Sequence, residues 1–347
     1  MMNTVTNNPP IRFHSLNYLR ALAVLMIVYD HLGAFRNPTW IVKKIIDFFF
    51  AIPLNIIQDF GALGVSLFFL ISGFLFSYKA DFNQIYFKNA KRISKIYLTN
   101  ISAFIIFWFF NMLCTRFHST YWSQFSLKQW IESATLAGYF SGNGDVINGT
   151  TWFLIPLFLF YILCMIYAPL YKRYRINSIY LINLLLGVLL YIFYIFHSPL
   201  TSYLCFTLIP IYGMIIGELF KKQNSSQKKQ TLTALLINWI IMIISFYQFN
   251  TTYYKESLYL VSIVYACLLL IVFVLLEKLF EPCKWIDFIC RISLSIYVLH
   301  MTFGSFLMQL LVDWQFNFTV AFIITFCIII FISYIHSTFI EKIILEK

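Results

Sequence analysis

Long apolar stretches separated by short polar segments run along almost the whole chain. A membrane-spanning helix needs about 20 mostly apolar residues, and ten stretches are of that length. They lie at 16–35, 61–79, 96–115, 151–171, 178–196, 200–220, 232–250, 258–277, 286–311 and 318–340. These runs are continuous, unlike the short alternating segments of a membrane barrel. The pattern therefore predicts an all-α integral membrane protein with about ten transmembrane helices.

Two of the connections between these stretches are unusual. The segment KKIIDFFFAIPLNIIQDF, after the first stretch, is apolar but contains Asp47 and Pro53, so we expect an interfacial or re-entrant piece.

The longest polar connection covers residues 116–150, and loops of this length usually bind something or are disordered. It carries the tyrosines and tryptophans Tyr121, Trp122, Trp130 and Tyr139. Their rings would either stack on sugars or form an aromatic belt at the membrane interface.

Composition supports the membrane assignment. Of 347 residues, 61% are hydrophobic and 11% charged, whereas a soluble domain has about 25% charged residues. The net charge of +11 could indicate a nucleic-acid-binding protein. The basic residues lie in short loops, however, which favours a role in setting membrane topology and in binding anionic lipid.

The seven cysteines have neither CxxC nor metal-ligand spacing, so we expect structural thiols and no metal. MMNTVTNNPP has no basic start, so we expect no removable signal peptide.

The distribution of Lys and Arg predicts an orientation. If both termini are cytoplasmic, 17 basic residues lie in the inner segments and 6 in the outer loops. Cytoplasmic loops carry the excess of Lys and Arg, so both termini are predicted to be cytoplasmic. The loop of about 116–150 is then extracytoplasmic.

The first stretch, LNYLRALAVLMIVYDHLGAF, carries the ionisable residues Arg20, Asp30 and His31. Such residues inside a span are costly and usually mark a function. Arg20 and His31 are eleven positions apart, which at about 100° per residue places them on one helix face, roughly 16 Å apart along the axis. Asp30 lies about 100° away from His31. Alternatively, Arg20 and His31 simply anchor the two ends of the helix.

A family resemblance rests on six segments in order. In the first segment, Arg20 and His31 match a motif of a basic residue, ten further residues and a histidine. The other five segments are GVSLFFLISGFLFS, YFKNAKRISKIY with Arg92, TWFLIPLFLFYIL, RISLSIYVLH and FIEK. Together they resemble the acyltransferase 3 family of polytopic membrane O-acyltransferases. Two positions depart from its patterns, because Ser66 stands where many members have Asp and Leu157 where a subgroup has Glu. Since the chain ends at Lys347, we expect one domain, 1–347, without the additional soluble domain of some members.

The resemblance implies transfer of an acyl group, commonly acetyl from acetyl-CoA, to a hydroxyl of a surface or lipid-linked glycan such as O-antigen or capsule. It also implies a multi-pass protein of the bacterial inner membrane, with acyl-CoA, glycan and lipid as partners and no nucleic acid. His31 would act as general base and Arg20 would meet the polyanionic donor. The rivals are a polysaccharide or lipid-linked sugar exporter, and a scaffold subunit without acyl chemistry.

Further candidates lie on the ninth stretch. Ser293, Tyr297, His300 and Gly304 fall on one helical face. His300 would assist His31 or bind acceptor, or would simply be satisfied by neighbouring helices. Arg291 lies about 180° around the helix from His300. With Arg92 it would bind CoA phosphates; alternatively, both arginines anchor their helices at the cytoplasmic face of the membrane.

Two further assignments concern the oxyanion and the acceptor. Either Ser72 or Tyr297 is a candidate donor to the oxyanion of the tetrahedral intermediate. Trp152 and Trp122 are candidates for binding the acceptor. His14, His118, His197 and His336 lie at the edges of spans or in loops and have no predicted role.

Overall fold

The computed structural model describes residues 13–56, 60–79, 84–115, 125–140, 146–174, 177–249 and 256–345. Within these ranges the chain consists of helices and turns without a strand, so the predicted all-α fold is confirmed. The helices are α1 (His14–Val28), α2 (Ile41–Ile46), α3 (Gly61–Lys79), α4 (Ile85–Thr115), α5 (Leu127–Ala134), α6 (Leu154–Tyr174), α7 (Asn177–Ile195), α8 (Leu200–Leu219), α9 (Ser225–Gln248), α10 (Glu256–Leu275), α11 (Lys284–Leu299), α12 (Ser305–Asp313) and α13 (Phe318–Leu345). The π-helical segments are Tyr29–Ala34, Asp47–Ala51 and His300–Gly304. Short 3₁₀ turns are Ala137–Tyr139, Gly149–Phe153 and Glu277–Leu279.

Each of the ten predicted spans corresponds to a helix or to consecutive helical segments. In the described part of the chain, eight stretches are long and apolar enough to cross a membrane, and Tyr259–Leu275 is a shorter apolar helix. The first span, α1 with Tyr29–Ala34, is not among the eight because its ionisable side chains lower its hydropathy. Which end of the bundle faces the cytoplasm stays a prediction.

The centre of the bundle is the pair α3 and α8, both largely buried inside the protein. Their backbones touch at small residues: a Cβ on Gly73 would lie 1.7 Å from the carbonyl oxygen of Pro210, and one on Gly213 would lie 2.2 Å from that of Leu70. Glycine permits this close approach between membrane helices. α3 also packs on α1 and α10, and α1 on α11, so α1 is held inside the bundle rather than at its rim.

The two ends of the bundle differ in chemistry. One end of the bundle holds the first residues of α1, α4 and α11 and the last residues of α10 and α13. The backbone N–H of His14, at the start of α1, donates to Glu277 Oε1 at 2.7 Å, just after α10. Lys95 Nζ, on α4, lies 3.1 Å from Glu341 Oε1, near the end of α13. We call this the basic end. The opposite end holds the π-helical segments Tyr29–Ala34 and His300–Gly304, which contact each other, and we call it the histidine end.

The two π-helical segments change the predicted helical faces. The sequence-based faces assumed 100° per residue through His31 and through Gly304, but regular α-helix ends at Val28 in the first case and at Leu299 in the second. A π-helix forms i→i+5 hydrogen bonds, so it has more residues per turn than an α-helix. The directions of the side chains beyond those points are therefore set by the π geometry.

The connection after the first span does not cross the bundle. It forms the short α2 and the π-helical segment Asp47–Ala51. Phe48, Phe49 and Phe50 are exposed there, while Lys43 is buried and lies 2.8 Å from Asp47. Six helical residues followed by a π turn are too short to span a bilayer, which fits the expected interfacial position.

Part of the long loop 116–150 folds back onto the bundle. Ser126 caps α5 through a capping box with Gln129. The ring of Trp130 is buried against Phe104 and Phe107 of α4, at centroid distances of 6.2 and 5.2 Å. This aromatic residue therefore belongs to the protein interior and is neither a sugar platform nor part of an interfacial belt. Trp122, a predicted acceptor-binding residue, lies outside the described residues.

Candidate functional site

A cavity of about 250 Å³ lies at the basic end, between α1, α3, α4, α6 and α11. Its cationic lining is Arg20, Arg92, Lys95 and Arg291. Arg92 and Lys95 are three residues apart on α4, and so share a helix face. Among the described residues, none of the three arginines forms an ion pair with a carboxylate. The cavity thus gathers positive charge that the neighbouring acidic groups leave largely uncompensated.

Local contacts orient two of these cations. The guanidinium of Arg92 donates to Asn89 Oδ1 at 3.1 Å and lies 5.6 Å from the ring centroid of Tyr161. Lys95 is held by Glu341, near the end of α13. These contacts, to α6 for Arg92 and to α13 for Lys95, hold both side chains of α4 at the cavity wall.

Aromatic and small polar residues form another part of the cavity lining. Phe68, Phe153 and Tyr297 line it, together with Ser72 and Ser293. Ser72 Oγ donates to the Phe68 carbonyl at 2.8 Å, and the Tyr297 hydroxyl donates to the Thr150 carbonyl. Both hydroxyls named as oxyanion donors therefore lie at the cavity, and each already donates to a backbone carbonyl.

Beyond Tyr297 lie the two histidines. The ring centroids of His31 and His300 are 5.3 Å apart, and the ring of Tyr297 is 5.7 Å from that of His300. His300 is fully buried, whereas the His31 side chain keeps 21% of its surface exposed. Tyr297 thus lines the cationic cavity and also contacts His300, so it lies between the cavity and the histidine pair.

Hydrogen bonding defines the tautomer of His300. Its Nδ1 lies 2.6 Å from the carbonyl oxygen of Tyr297, which can only accept, so Nδ1 carries a proton. In the neutral ring Nε2 is then an acceptor, and this buried atom has no partner among the described residues. It supplies a lone pair directly beside His31.

The end of the long loop covers this region. Asn148, fully buried, donates from Nδ2 to the carbonyl of Val298 at 3.2 Å and accepts from Thr150 Oγ1 at 2.7 Å. Tyr139 donates to the Asn148 carbonyl at 2.8 Å. The loop is therefore tied to α11 at Val298, two residues before His300.

Comparison with known proteins identifies the family. A family model described as an acyltransferase domain matches residues 13–338. The chain belongs to the acyltransferase 3 family. Neither the comparison with curated proteins nor that with solved structures gave a match. The predicted resemblance is confirmed, and the matched range of this acyltransferase-family protein includes both histidines and all four cations of the cavity.

The structure brings together most of the predicted site residues of the acyltransferase domain. Arg20, Arg92, Arg291, Ser72 and Tyr297 line the cavity. His300 contacts the cavity residue Tyr297, and His31 contacts His300. Trp152 does not join them, because its ring packs 4.6 Å from that of Phe206 on α8.

The positions at which this chain departs from family patterns have simple environments. Ser66 is buried and donates to the Ala62 carbonyl at 2.7 Å within α3. Leu157 lines the apolar part of the cavity wall. Neither residue offers acid–base chemistry.

Sequence reasoning missed three polar residues. Lys95 lines the cavity, and its spacing of three from Arg92 was the available signal. Asp30 lies 3.9 Å from His31 through its carboxylate oxygen. His336 is buried between α4 and α11, with Nε2 2.6 Å from Ser102 Oγ and Nδ1 3.0 Å from Ser295 Oγ. It links three helices of the site, and nothing in its sequence neighbourhood marked it.

Proposed function

We propose that this protein transfers an acyl group, most simply acetyl, from cytoplasmic acyl-CoA to a hydroxyl of a surface or lipid-linked glycan, such as O-antigen or capsule, in the bacterial inner membrane. Membership of the acyltransferase family supports acyl transfer as the reaction class. The observation that carries the proposal is that Tyr297, which lines the cationic cavity, also contacts the His31–His300 pair through the ring of His300.

The cationic cavity suits the polyanionic part of a CoA donor. Arg20, Arg92 and Arg291 offer planar groups that bind phosphate oxygens in pairs, and Lys95 adds a point charge. Phosphates held here would stay at the basic end, since moving them into the hydrocarbon is very unfavourable. Only the neutral arm and the acyl group would extend past Phe153 and Tyr297.

At the far end of this path, His31 acts as the general base. A sugar hydroxyl is a weak nucleophile, and an imidazole within hydrogen-bond reach accepts its proton as the oxygen attacks the thioester carbon. The new C–O bond forms, the C–S bond of the tetrahedral intermediate breaks, and His31 returns the proton to the departing thiolate. The acyl group thus moves directly from sulfur to oxygen without an acyl-enzyme.

His300 binds the acceptor beside His31. Because Nδ1 donates to Tyr297, Nε2 accepts a hydrogen bond, and a hydroxyl of the glycan is a suitable donor. This contact places the reacting hydroxyl next to the base and compensates the buried nitrogen. Trp122 and Trp152 both remain predicted acceptor contacts, and the ring of Trp152 packs 4.6 Å from that of Phe206.

The two substrates are proposed to arrive from opposite sides of the membrane. The excess of basic residues favours a cytoplasmic basic end, which would place the histidine end toward the outside. The donor would then enter where CoA is made, and the glycan would be acylated on the other face. Water would be kept from the thioester until the acceptor binds.

Mass spectrometry of surface glycans tests the reaction. Cells that lack the protein should lose an acyl mass increment, and re-expression of the protein, but not of His31→Ala, should restore it. Glycans that disappear from the surface without a change in mass would overturn the proposal in favour of an exporter.

Oriented proteoliposomes test the route. With labelled acetyl-CoA on one side and deacylated glycan on the other, product should form only when the donor faces the basic end. Equal product formation from a mixture on the donor side would rule out delivery from opposite faces.

A further inference from the structure

Asp30 and His31 are neighbours in the π-helical segment Tyr29–Ala34. Asp30 Oδ2 lies 3.9 Å from His31 Nε2. In a regular α-helix consecutive side chains point about 100° apart, which would separate the two groups. The i→i+5 geometry puts more residues into each turn and narrows the angle between neighbours. The π-helical segment therefore brings a carboxylate to the side of the proposed base.

The carboxylate is held on its other side by α3. A methyl group at Gly61 would lie 1.8 Å from Asp30 Oδ2, so the carboxylate occupies the space where a side chain at position 61 would lie. Gly61 is the first residue of α3, where backbone N–H groups have no partner within the helix and the helix dipole is positive. Negative charge is favoured at this position, and the Asp30 side chain, only 10% exposed, has little freedom to turn away from His31.

Other described acids at the histidine end are engaged elsewhere. Asp47 pairs with Lys43 at 2.8 Å, Glu132 lies 3.7 Å from Lys128, and Asp313 accepts a hydrogen bond from Gln309 Nε2 at 2.8 Å. Within the described ranges, Asp30 is the carboxylate that lies within ion-pair distance of His31.

We propose that Asp30 is a positioning residue that stabilises the imidazolium of His31 during acyl transfer; this rests on the proposed function above. The acceptor proton moves to His31 as the C–O bond forms, and it leaves for the CoA thiolate when the C–S bond breaks. His31 is positively charged only between these two proton transfers. A carboxylate 3.9 Å away attracts that transient cation more strongly than the neutral ring, so it lowers the barrier without strengthening substrate binding.

The test measures transfer from acetyl-CoA to deacylated glycan, extracted from cells that lack the protein, by purified full-length variants. Asp30→Asn should lower kcat about tenfold to a hundredfold, with KM for acetyl-CoA changed less than about twofold. Asp30→Glu should recover part of the loss. Asp47→Asn, which removes an acid from the same end of the bundle, is the matched control and should keep the wild-type kcat.

A second variant separates the carboxylate's position from its charge. Gly61→Ala adds a methyl group that displaces the Asp30 carboxylate and should lower kcat to a similar extent. The double variant Gly61→Ala/Asp30→Asn should lose no more than Asp30→Asn alone, because both changes act through one group.

Two outcomes overturn the inference while wild-type transfer still supports the proposed function: Asp30→Asn with a normal kcat, or losses that add in the double variant. A wild-type protein that forms no ester would instead contradict the proposed function itself.

Discussion

The imidazole rings of His31 and His300 face each other at 5.3 Å between centroids, with their planes 36° apart. They belong to the first and ninth predicted spans, and each lies in a π-helical segment. π-helical turns inside α-helices occur often at functional sites. The pairing joins a partly exposed ring, suited to proton transfer, to a buried ring whose Nε2 is an acceptor.

The pairing predicts that His300 contributes to acceptor binding. His300→Ala should lower kcat/KM for the glycan about tenfold, the worth of one hydrogen bond, while acetyl-CoA binding stays unchanged. His300→Gln should lose less, since its amide oxygen can accept where Nε2 does. The exposed His197, in the turn before α8, supplies the control His197→Asn, which suits the positive φ of 49° there. A larger loss of donor binding than of acceptor use would argue against this role.

Arg20 and His31 should divide binding from chemistry. Arg20→Ala removes charge-assisted hydrogen bonds to phosphate and should weaken CoA binding about tenfold to a hundredfold, with Arg20→Lys recovering part. His31→Ala should abolish transfer, a loss of at least about a hundredfold, and leave CoA binding near normal. Isothermal titration with CoA and a transfer assay measure the two effects.

Arg173→Ala is the control for loss of charge at the basic end, since Arg173 stacks on Tyr174 and does not line the cavity. If Arg20→Ala and His31→Ala lose CoA binding equally, both residues serve the fold instead.

Glu341 should compete with the donor for Lys95. The carboxylate lies 3.1 Å from Lys95 Nζ, and both side chains are about a third exposed, so the pair is weak and easily exchanged for a phosphate. Glu341→Gln should therefore tighten CoA binding by about twofold to fivefold, and Lys95→Gln should weaken it. Lys342→Gln, a charge change beside Glu341 and away from the cavity lining, should have little effect. Weaker CoA binding in Glu341→Gln would show that the pair orders the site rather than competing for it.

The excess of basic residues predicts how the bundle sits in the membrane. A cysteine at the exposed Ser226, in the first turn of α9 at the basic end, should be shielded from an impermeant thiol reagent in intact cells. One at the exposed Lys128, in α5 at the other end, should react. The unmodified protein measures the background from native thiols. The reverse labelling would place the histidine end on the cytoplasmic side and end the proposal of delivery from opposite faces.

Much of the architecture follows from local properties of the sequence. Whether a run of about 20 apolar residues forms a membrane helix depends on the run itself, because every backbone polar group must bond within the helix. The apolar runs also give the positions of the helices along the chain. Because successive spans run in opposite directions, they place Arg20, Arg92 and Arg291 at the same end of the bundle, the basic end. The family and the candidate base His31 were recognisable because the motifs that carry them are also local patterns in the sequence.

What surrounds each side chain was decided by tertiary packing. The sequence does not mark where α1 and α11 change to π-helical bonding, so it placed Asp30 away from His31. The packing of the Trp152 ring against Phe206 on α8 could not be read from the sequence, and its role as an acceptor contact stays a prediction. His336 became a link between α4 and α11 only when three helices met around it.

The sequence by itself thus determined the spans, the family and the chemical types at the site. Only the tertiary structure decided which of those residues meet, because side-chain direction beyond a π turn and contacts between distant helices depend on packing that no local pattern records.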